Sequence, residues 1–439
     1  MPNALVVADD LTGTLDTGHG FAVRGRGVTA HLTDGRGDSG TGAVSADRVD
    51  DVLAVDTDTR EASRERAAAA VRSVRKNAAA DVVYKKVDST LRGNVVAEVE
   101  AALAAGSADL ALVAPAFPGT GRTTRGGIHY VDDTPLAQAG YGVAESHLPT
   151  LFGAATGLPV EHVPLTTIEA GPPAVLDVLS ALPAGDPVIV TCDAVTGDHL
   201  ATIADAGNRL AADVCYVGSG GLAGHVSVPG EPTVGTPPAS TGAGVLAVVG
   251  SVNPRSLTQL GEVPDDIVVS LDPAAAVRDP AGAAASAASR VGVRLRESGE
   301  VVLTAATEAS DVERAETAAE ALSGPTGAPV DPGEQIANAL AGTVARALAG
   351  TDAEARGSGR ADVEPRGLVL TGGDVARAVL DRLAVTRIGL TGEAVTDGLP
   401  VSWIDDGPIA GTRLVTKAGG FGDRMAIVNS IREVGADHE

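Results

Sequence analysis

The sequence predicts an α/β protein of two lobes, each a mostly parallel sheet flanked by helices, with a cleft between them. Three observations carry that prediction. Short apolar runs alternate with Ala-rich helical stretches along the whole chain. A Pro/Gly/Ser/Thr-rich stretch, VSVPGEPTVGTPPASTGAG from Val226 to Gly244, interrupts the alternation near the middle. The 439 residues, at roughly 150 per domain, suffice for two or three cores.

In the first half the candidate strands are Ala4–Ala8, Val52–Val55, Val82–Lys86, Leu110–Ala114, Val188–Cys192 and Val214–Val217. Each is a short apolar run of the kind a buried parallel sheet uses. Helices are expected over Glu61–Arg75 and Asn94–Ala105. The second carries Val95, Val99 and Leu103 at four-residue steps, with Gly106 as a natural stop. Beyond the interruption, strands are expected at Val245–Val249, Ile267–Leu271, Val301–Leu303, Gly367–Leu370, Arg387–Leu390 and Arg413–Thr416, and helices at Ala281–Val291, Asp311–Leu322 and Gly333–Leu348. The division is a domain over 1–225, a linker over 226–243 and a domain over 244–439. No internal repeat is present.

Acids outnumber bases 57 to 33, a net charge of −24, so neither nucleic acid nor an anionic membrane is expected as a partner. No apolar run approaches the ~18 residues of a membrane span. The start, MPNALVVADD, has no basic n-region and reads as a first strand, not a signal peptide. Cys192 and Cys215 are the only cysteines, in no metal-ligand spacing, which argues against a disulfide scaffold. A soluble cytoplasmic protein is the expectation, and a homo-oligomer is compatible with it. Only four bases are lysines: Lys76, Lys85, Lys86 and Lys417. Acid-rich, lysine-poor composition suggests a high-salt cytoplasm, with genomic base composition as the competing cause. A retained lysine marks a place for a compact point charge on a flexible stem instead of a rigid fork.

Ligands of open α/β sheets sit beyond the carboxyl ends of strands, and several segments there carry suitable chemistry. Asp9 and Asp10, in Ala8-Asp9-Asp10-Leu11-Thr12-Gly13, offer adjacent carboxylates that could accept from a polyol or act as a base; the plain alternative is an Asp-capped turn. Lys85-Lys86-Val87-Asp88-Ser89-Thr90-Leu91-Arg92 combines cations, hydroxyls and a carboxylate before a helix start. Cations and helix amides there suit the carboxylate of an acid substrate while Asp88 reads a hydroxyl; solvated bases beside a capped helix are the alternative. Arg60 is a further anion candidate. Ala114 to Gly127, with Arg122, reads equally as a site loop or a surface loop.

In the second half, glycines mark three strand ends: Gly250-Ser251-Val252-Asn253, Thr371-Gly372-Gly373-Asp374 and Lys417-Ala418-Gly419-Gly420-Phe421-Gly422. None fits GxxxxGK[ST] or GxGxxG. Each still supplies small residues and open amides of the kind phosphate needs. The eight histidines show no metal-binding spacing, and no G-x-S-x-G elbow occurs.

ADDLTG, KKVDSTLRGN, APAFPGTGRT, the GS after the interruption, LTGGD and KAGGFG occur in that order. This set resembles the four-carbon acid sugar kinase family of threonate, erythronate and 3-oxo-tetronate kinases, over essentially the whole chain. The resemblance implies an N-terminal domain binding the acid, a C-terminal domain binding ATP, and transfer to the terminal hydroxyl to give a 4-phosphate. It implies an acid site of Asp9, Asp10, Arg60, Lys85, Lys86, Asp88, Ser89, Thr90 and Arg92. It implies ATP contacts from Ser251, Thr371, Gly372, Gly373, Asp374, Gly419 and Gly420. The chain departs from the family pattern at Thr14-Leu15 and at Val375. Mg²⁺ is expected with ATP, its protein ligands unassigned. Asp10 or Asp88 is the expected base, and Lys417 the residue expected to neutralise charge on the phosphates. Competing readings are a non-catalytic protein binding ATP and a sugar acid, and an NAD-dependent dehydrogenase of the same acids, against which the missing dinucleotide fingerprint counts.

Overall fold

Strands that are apolar at every position bury both faces, which places them inside a parallel sheet covered by helices. The computed structural model describes residues 1–33, 50–183, 185–233, 235, 237, 242–323, 329–349 and 364–436. The chain divides into two compact units, Met1–Gly235 and Thr236–Glu439.

The N-terminal unit runs β1 (Ala4–Ala8), α1 (Leu11–Ala22), β2 (Val28–Leu32), β3 (Val52–Asp56), α2 (Arg64–Asn77), β4 (Val82–Lys86), α3 (Val95–Ala104), β5 (Leu110–Ala114), β6 (Arg122–Arg125), β7 (Ile128–Val131), β8 (Thr134–Pro135), α4 (Leu148–Gly153), β9 (Val160–Val163), α5 (Leu165–Glu169), α6 (Pro172–Ser180), β10 (Val188–Cys192), α7 (Gly197–Arg209), β11 (Val214–Gly218) and α8 (Gly220–Ala223). Its large sheet has the order β2-β3-β1-β4-β11-β5-β10-β9, parallel throughout. The core between this sheet and its helices includes Leu5, Val7, Val71, Val99, Leu103 and Ile189. Two registers set the geometry of the strand ends: Ala8 pairs with Asp56 and Val7 with Lys85. The carboxyl ends of β3, β1 and β4 therefore lie side by side.

The C-terminal unit runs β12 (Val245–Val249), α9 (Pro254–Leu260), β13 (Val268–Ser270), α10 (Pro273–Arg278), α11 (Pro280–Ser298), β14 (Glu300–Thr304), α12 (Ala309–Ser323), α13 (Pro332–Leu348), β15 (Gly367–Thr371), α14 (Gly373–Arg382), β16 (Arg387–Thr396), β17 (Leu399–Ile404), β18 (Arg413–Lys417) and α15 (Ala426–Gly435). Its strands follow the order β13-β14-β12-β15-β18-β17-β16. Pairing is parallel from β13 to β18 and antiparallel across β17. Val249 pairs with Thr371, and Thr371 with Lys417, so the three glycine-marked ends adjoin.

Several expectations shift in detail. The helix expected from Glu61 starts at Arg64, because Ser63 accepts from the Arg66 amide at 3.3 Å and caps it. The helix expected from Asn94 starts at Val95. The strand expected over Ile267–Leu271 contracts to Val268–Ser270, with Ile267 in a tight turn. Strands β2, β6 to β9 and β17 were not anticipated. Residues 234, 236 and 238–241 of the expected linker lie outside the described residues. Its first part packs on the N-terminal unit: Arg24 donates to the Val226 carbonyl at 2.9 Å, Arg26 to the Gly230 carbonyl at 2.8 Å, and the Thr233 amide to Asp51 at 2.7 Å. Both cysteines are buried free thiols. Among the described residues, no helix is long and apolar enough to cross a membrane.

Candidate functional site

Adjacent ends of β1, β3 and β4 bring Asp9, Asp10, Arg60, Asp88 and Arg92 into one cluster. Arg60 lies at its centre. Its Nε and Nη2 donate to Asp9 at 2.9 and 2.8 Å, and its Nη1 and Nη2 donate to Asp10 at 2.9 and 2.7 Å. Such forked, charge-assisted bonds are strong and geometrically specific. The Asp88 carboxylate lies 3.9 Å from Arg60 Nη1 and accepts from Arg92 Nε at 2.7 Å and Nη2 at 3.2 Å. Thr90 also donates its hydroxyl to Asp88.

The two candidate bases differ in their remaining capacity. A carboxylate has about four acceptor positions. Asp10 has four donors: Arg60 twice, the Gly13 amide at 3.0 Å and the Thr12 hydroxyl at 2.7 Å. It caps α1 as well as holding Arg60, so the plain reading of its segment and the functional one are both realised. Asp88 Oδ2 is filled by Thr90 and Arg92, while Oδ1 has only the Arg92 bond within hydrogen-bond distance among the described residues. Burial works to raise both Asp9 and Asp88. Arg60 overcomes it in each case, aided by hydrogen bonds from Arg60 to Asp9 and from Arg92 to Asp88, and both carboxyls lie below the usual range. The Arg60 guanidinium is correspondingly held well above its ordinary value by Asp10, Asp9 and Asp88, against its burial.

The lysine pair divides its work. Lys86 Nζ donates to the Val87 carbonyl at 2.8 Å and sits where a Cβ on Gly13 would meet it at 2.8 Å. Lys85 is 0% exposed, and its ammonium lies 3.0 Å from Glu98 and donates to the Val7 and Lys86 carbonyls. It supports the cluster from beneath. Burial pushes the Glu98 carboxyl up. Counting the upper layer, Asp9, Asp10 and Asp88 balance Arg60, Lys86 and Arg92. The site is thus charge-compensated, where the sequence suggested a cationic pocket.

Among the described residues, Lys86 and Arg92 keep N–H groups beyond the bonds above, and Ser89 and the start of α3 offer donors without an acceptor. Asn94 stands at the N-cap of α3, but its side chain donates to the Ala62 carbonyl at 2.9 Å, leaving the first turn without a side-chain cap. Gly93 has φ +85°, and a Cβ there would lie 3.0 Å from Asp9 Oδ2, so this turn needs glycine. Leu91 adopts φ 55° in the same loop, a conformation non-glycine residues rarely take.

His129, which sequence reasoning passed over, holds that loop in place. It is fully buried on β7, 2.8 Å from the Ser89 carbonyl through Nε2 and 2.9 Å from the Thr124 hydroxyl through Nδ1. Facing a carbonyl, Nε2 must carry the proton. Burial lowers its pKa to about 4. The signal lay in the Gly126-Gly127 dipeptide between two β-prone runs, a hairpin mark. Asp193 accepts from both glycine amides, at 2.8 and 2.9 Å, and fixes that turn. Arg122 turns to the Thr120 carbonyl.

In the C-terminal unit, Ser251, Gly372 and Gly419 converge. A Cβ on Gly372, at φ +88°, would approach the Ser251 amide at 3.2 Å, and one on Gly419 would collide with Ser251 Oγ. A Cβ on Gly373 would meet nothing within 4 Å, so that face is open. Gly372 is the N-cap of α14, which lacks a side-chain cap, and Asp374 lies in its first turn. The Thr371 hydroxyl is buried with no hydrogen-bond partner among the described residues. This cradle of small residues and uncapped amides fits phosphate groups. Among the described residues no three His, Cys, Asp or Glu side chains gather to hold a metal. Asp374, in the first turn of α14, is the carboxylate that would be available to a Mg²⁺ brought with a nucleotide. Lys417 is fully buried, and the three N–H groups of its ammonium are shared among the carbonyls of Ala418, Gly419 and Phe421 and the Ser256 hydroxyl. Burial, then Arg255, pulls its pKa down to about 8.

The chain matches the model of a sugar-binding N-terminal domain over residues 4–226 and that of a nucleotide-binding C-terminal domain over residues 246–427. It is 35% identical to D-threonate kinase of Bordetella bronchiseptica, over 98% of this chain and 96% of that one. It is 33% identical to D-erythronate kinase of Heliobacterium modesticaldum, over 60% of each chain. It is 28% identical to 3-oxo-tetronate kinase of Methylobacterium radiotolerans, over 95% of each. A solved structure from Salmonella typhimurium LT2 shares the fold, with a TM-score of 0.73 and 21% identity over 98% of this chain and 99% of that one.

Proposed function

The chain belongs to the four-carbon acid sugar kinase family, and from that premise we propose that it transfers the γ-phosphoryl group of ATP to the terminal 4-hydroxyl of threonate, erythronate or 3-oxo-tetronate. The domain of residues 1–225 binds the acid and that of residues 244–439 binds ATP. The observation that carries the reading is the cluster in which one guanidinium, Arg60, holds Asp9 and Asp10 beside the Asp88–Arg92 pair. It supplies both signs of charge within a few ångströms, as a molecule that is acid at one end and alcohol elsewhere requires.

In this reading the acid carboxylate takes the unengaged N–H groups of Lys86 and Arg92 and the uncapped amides of α3. Ser89 reaches a hydroxyl, and Thr90, whose proton goes to Asp88, can only accept from one. Asp88 serves as the base in preference to Asp10, because its Oδ1 keeps an acceptor position for the attacking hydroxyl while Asp10 is fully engaged. Phosphoryl transfer asks the protein chiefly for alignment and charge neutralisation, so a carboxylate that stays ionised and aims the hydroxyl is sufficient. Ser251, Thr371, Gly372, Gly373, Asp374, Gly419 and Gly420 supply the phosphate cradle. Mg²⁺, when bound with ATP, neutralises the phosphate oxygens.

The test is a coupled ADP-release screen with Mg²⁺ across both enantiomers of threonate and erythronate and 3-oxo-tetronate, at low and high salt. Acid-dependent ADP formation with one preferred acid is expected. ATP and acid binding without turnover would favour a non-catalytic binding protein. Absence of ATP binding together with acid-dependent NAD reduction would favour a dehydrogenase.

A further inference from the structure

A phosphate cradle made of amides works only if the amides point outward. In a planar trans peptide the carbonyl and the following N–H point in opposite directions, so turning a carbonyl inward turns the next amide out. The segment after β18 satisfies this requirement at its first two peptides, those that carry the Gly419 and Gly420 amides. Lys417 Nζ donates to the Ala418, Gly419 and Phe421 carbonyls at 3.1, 3.2 and 3.2 Å. The Gly419 carbonyl also accepts from Ser256 at 2.9 Å, and the Gly420 carbonyl from Arg255 at 3.0 Å. Gln259 Nε2 covers the carbonyls of Phe421, Gly422 and Asp423 at 3.1, 3.2 and 2.6 Å. Every carbonyl from 418 to 423 is thereby held by Lys417 or by α9. The amides of Gly419 and Gly420 have no acceptor among the described residues.

We propose that Lys417 is a positioning residue that gathers the carbonyls of Ala418, Gly419 and Phe421 inward, so that the Gly419 and Gly420 amides face the phosphates of the nucleotide. The inference rests on the nucleotide-binding reading above and changes the role of the lysine within it. Its charge is directed to backbone dipoles, and the amides, not the ammonium, make the phosphate contact. A lysine suits this place because three donors on a compact head can reach around a tight turn. A planar guanidinium would direct its donors into one plane. The Ser256 hydroxyl, 3.2 Å from Nζ, fixes the head.

The full-length chain carrying Lys417→Met tests this, with ADP binding by calorimetry, steady-state kinetics, and hydrogen exchange, measured without nucleotide, of the Phe421 amide, which donates at 3.1 Å to the Ala418 carbonyl that Lys417 holds. Expected are exchange of the Phe421 amide faster by about tenfold or more, weakening of ADP and ATP by a similar factor, and an unchanged KM for the acid. Unchanged exchange in a folded variant, with ADP bound as in the wild type and only kcat reduced, would overturn the proposal and give the ammonium a direct role on the transferring phosphoryl group. Should that variant not fold, Ser256→Ala removes one bond from the same set and should weaken ADP about two- to fivefold; unaltered ADP affinity would overturn the proposal. A wild type that binds neither ADP nor ATP would end the nucleotide reading, while the exchange comparison would still decide whether Lys417 shapes the segment.

Discussion

Asp88→Asn separates the two jobs a carboxylate can do in this site. The substitution keeps size and removes one negative charge. In the upper layer, Asp9, Asp10 and Asp88 balance Arg60, Lys86 and Arg92, so the substituted site carries a net charge of +1. At an assumed separation of about 6 Å and an effective dielectric of about 20, one unit of charge is worth roughly 3 kcal/mol to an incoming carboxylate, before solvent screening. Solvent screening at a site open to water cuts that to about 1.4 kcal/mol or less, so the KM for the acid should hold steady or fall, by up to about tenfold. Loss of the base should lower kcat by about 10² to 10⁴. Arg92 is 46% exposed, so it can turn to water and the fold should survive. The assay is ADP release against acid concentration, with a melting curve as the folding control. The partner variant, Asp10→Asn, disturbs the α1 cap and two of the Arg60 bonds. It should cost about 1–3 kcal/mol of stability and lower kcat less than Asp88→Asn does. Asp88→Asn that folds and keeps kcat within about threefold of wild type would refute Asp88 as the base. A raised KM at unchanged kcat would reduce Asp88 to a hydroxyl reader.

The buried groups around the site give two further expected outcomes. His129 is neutral in the fold, with a pKa of about 4 against an ordinary 6.5; the unfolded chain therefore binds a proton first as pH falls, and stability present above about 6.5 should drop by roughly 2 kcal/mol by about pH 5. Urea unfolding of wild type and His129→Gln at about pH 7 and 5 checks this, since the variant should lack that part of the slope. Lys85→Met alone should cost about 3–5 kcal/mol because it strands the Glu98 carboxyl, whereas Lys85→Met with Glu98→Leu should recover most of the loss in the same unfolding measurement. Equal destabilisation by the single and the double substitution would show that the pair contributes nothing as a pair.

Much of the site was legible because its chemistry lies on contiguous segments. Asp9 and Asp10 follow an apolar run that is a strand, and Asp88 to Arg92 follow another. The missing elements were those whose local pattern is weak or mixed. Strand β6 is Arg-Thr-Thr-Arg, with no apolar alternation, and it persists because it pairs with β7, which in turn pairs with β8. Strand β17 follows Asp397-Gly398, a hairpin mark that went unused. Glu98 reads as a solvated helix residue in sequence and is 1% exposed, because Lys85 reaches it from the neighbouring strand.

By itself the sequence determined the alternation of strands and helices, the two-part division, the family, and the residue types available at each strand end. Those follow from local period, turn chemistry and ordered motifs, all of which are properties of neighbours along the chain. Only the tertiary structure decided which charges meet. The registers of β3, β1 and β4 place Arg60 between Asp9 and Asp10, turn Lys85 down to Glu98 while Lys86 stays above, and leave Asp88 with an acceptor to offer. Coulomb interaction and hydrogen bonding depend on distance and direction in space. Strand pairing sets both for residues some fifty to eighty positions apart, and no local pattern records it.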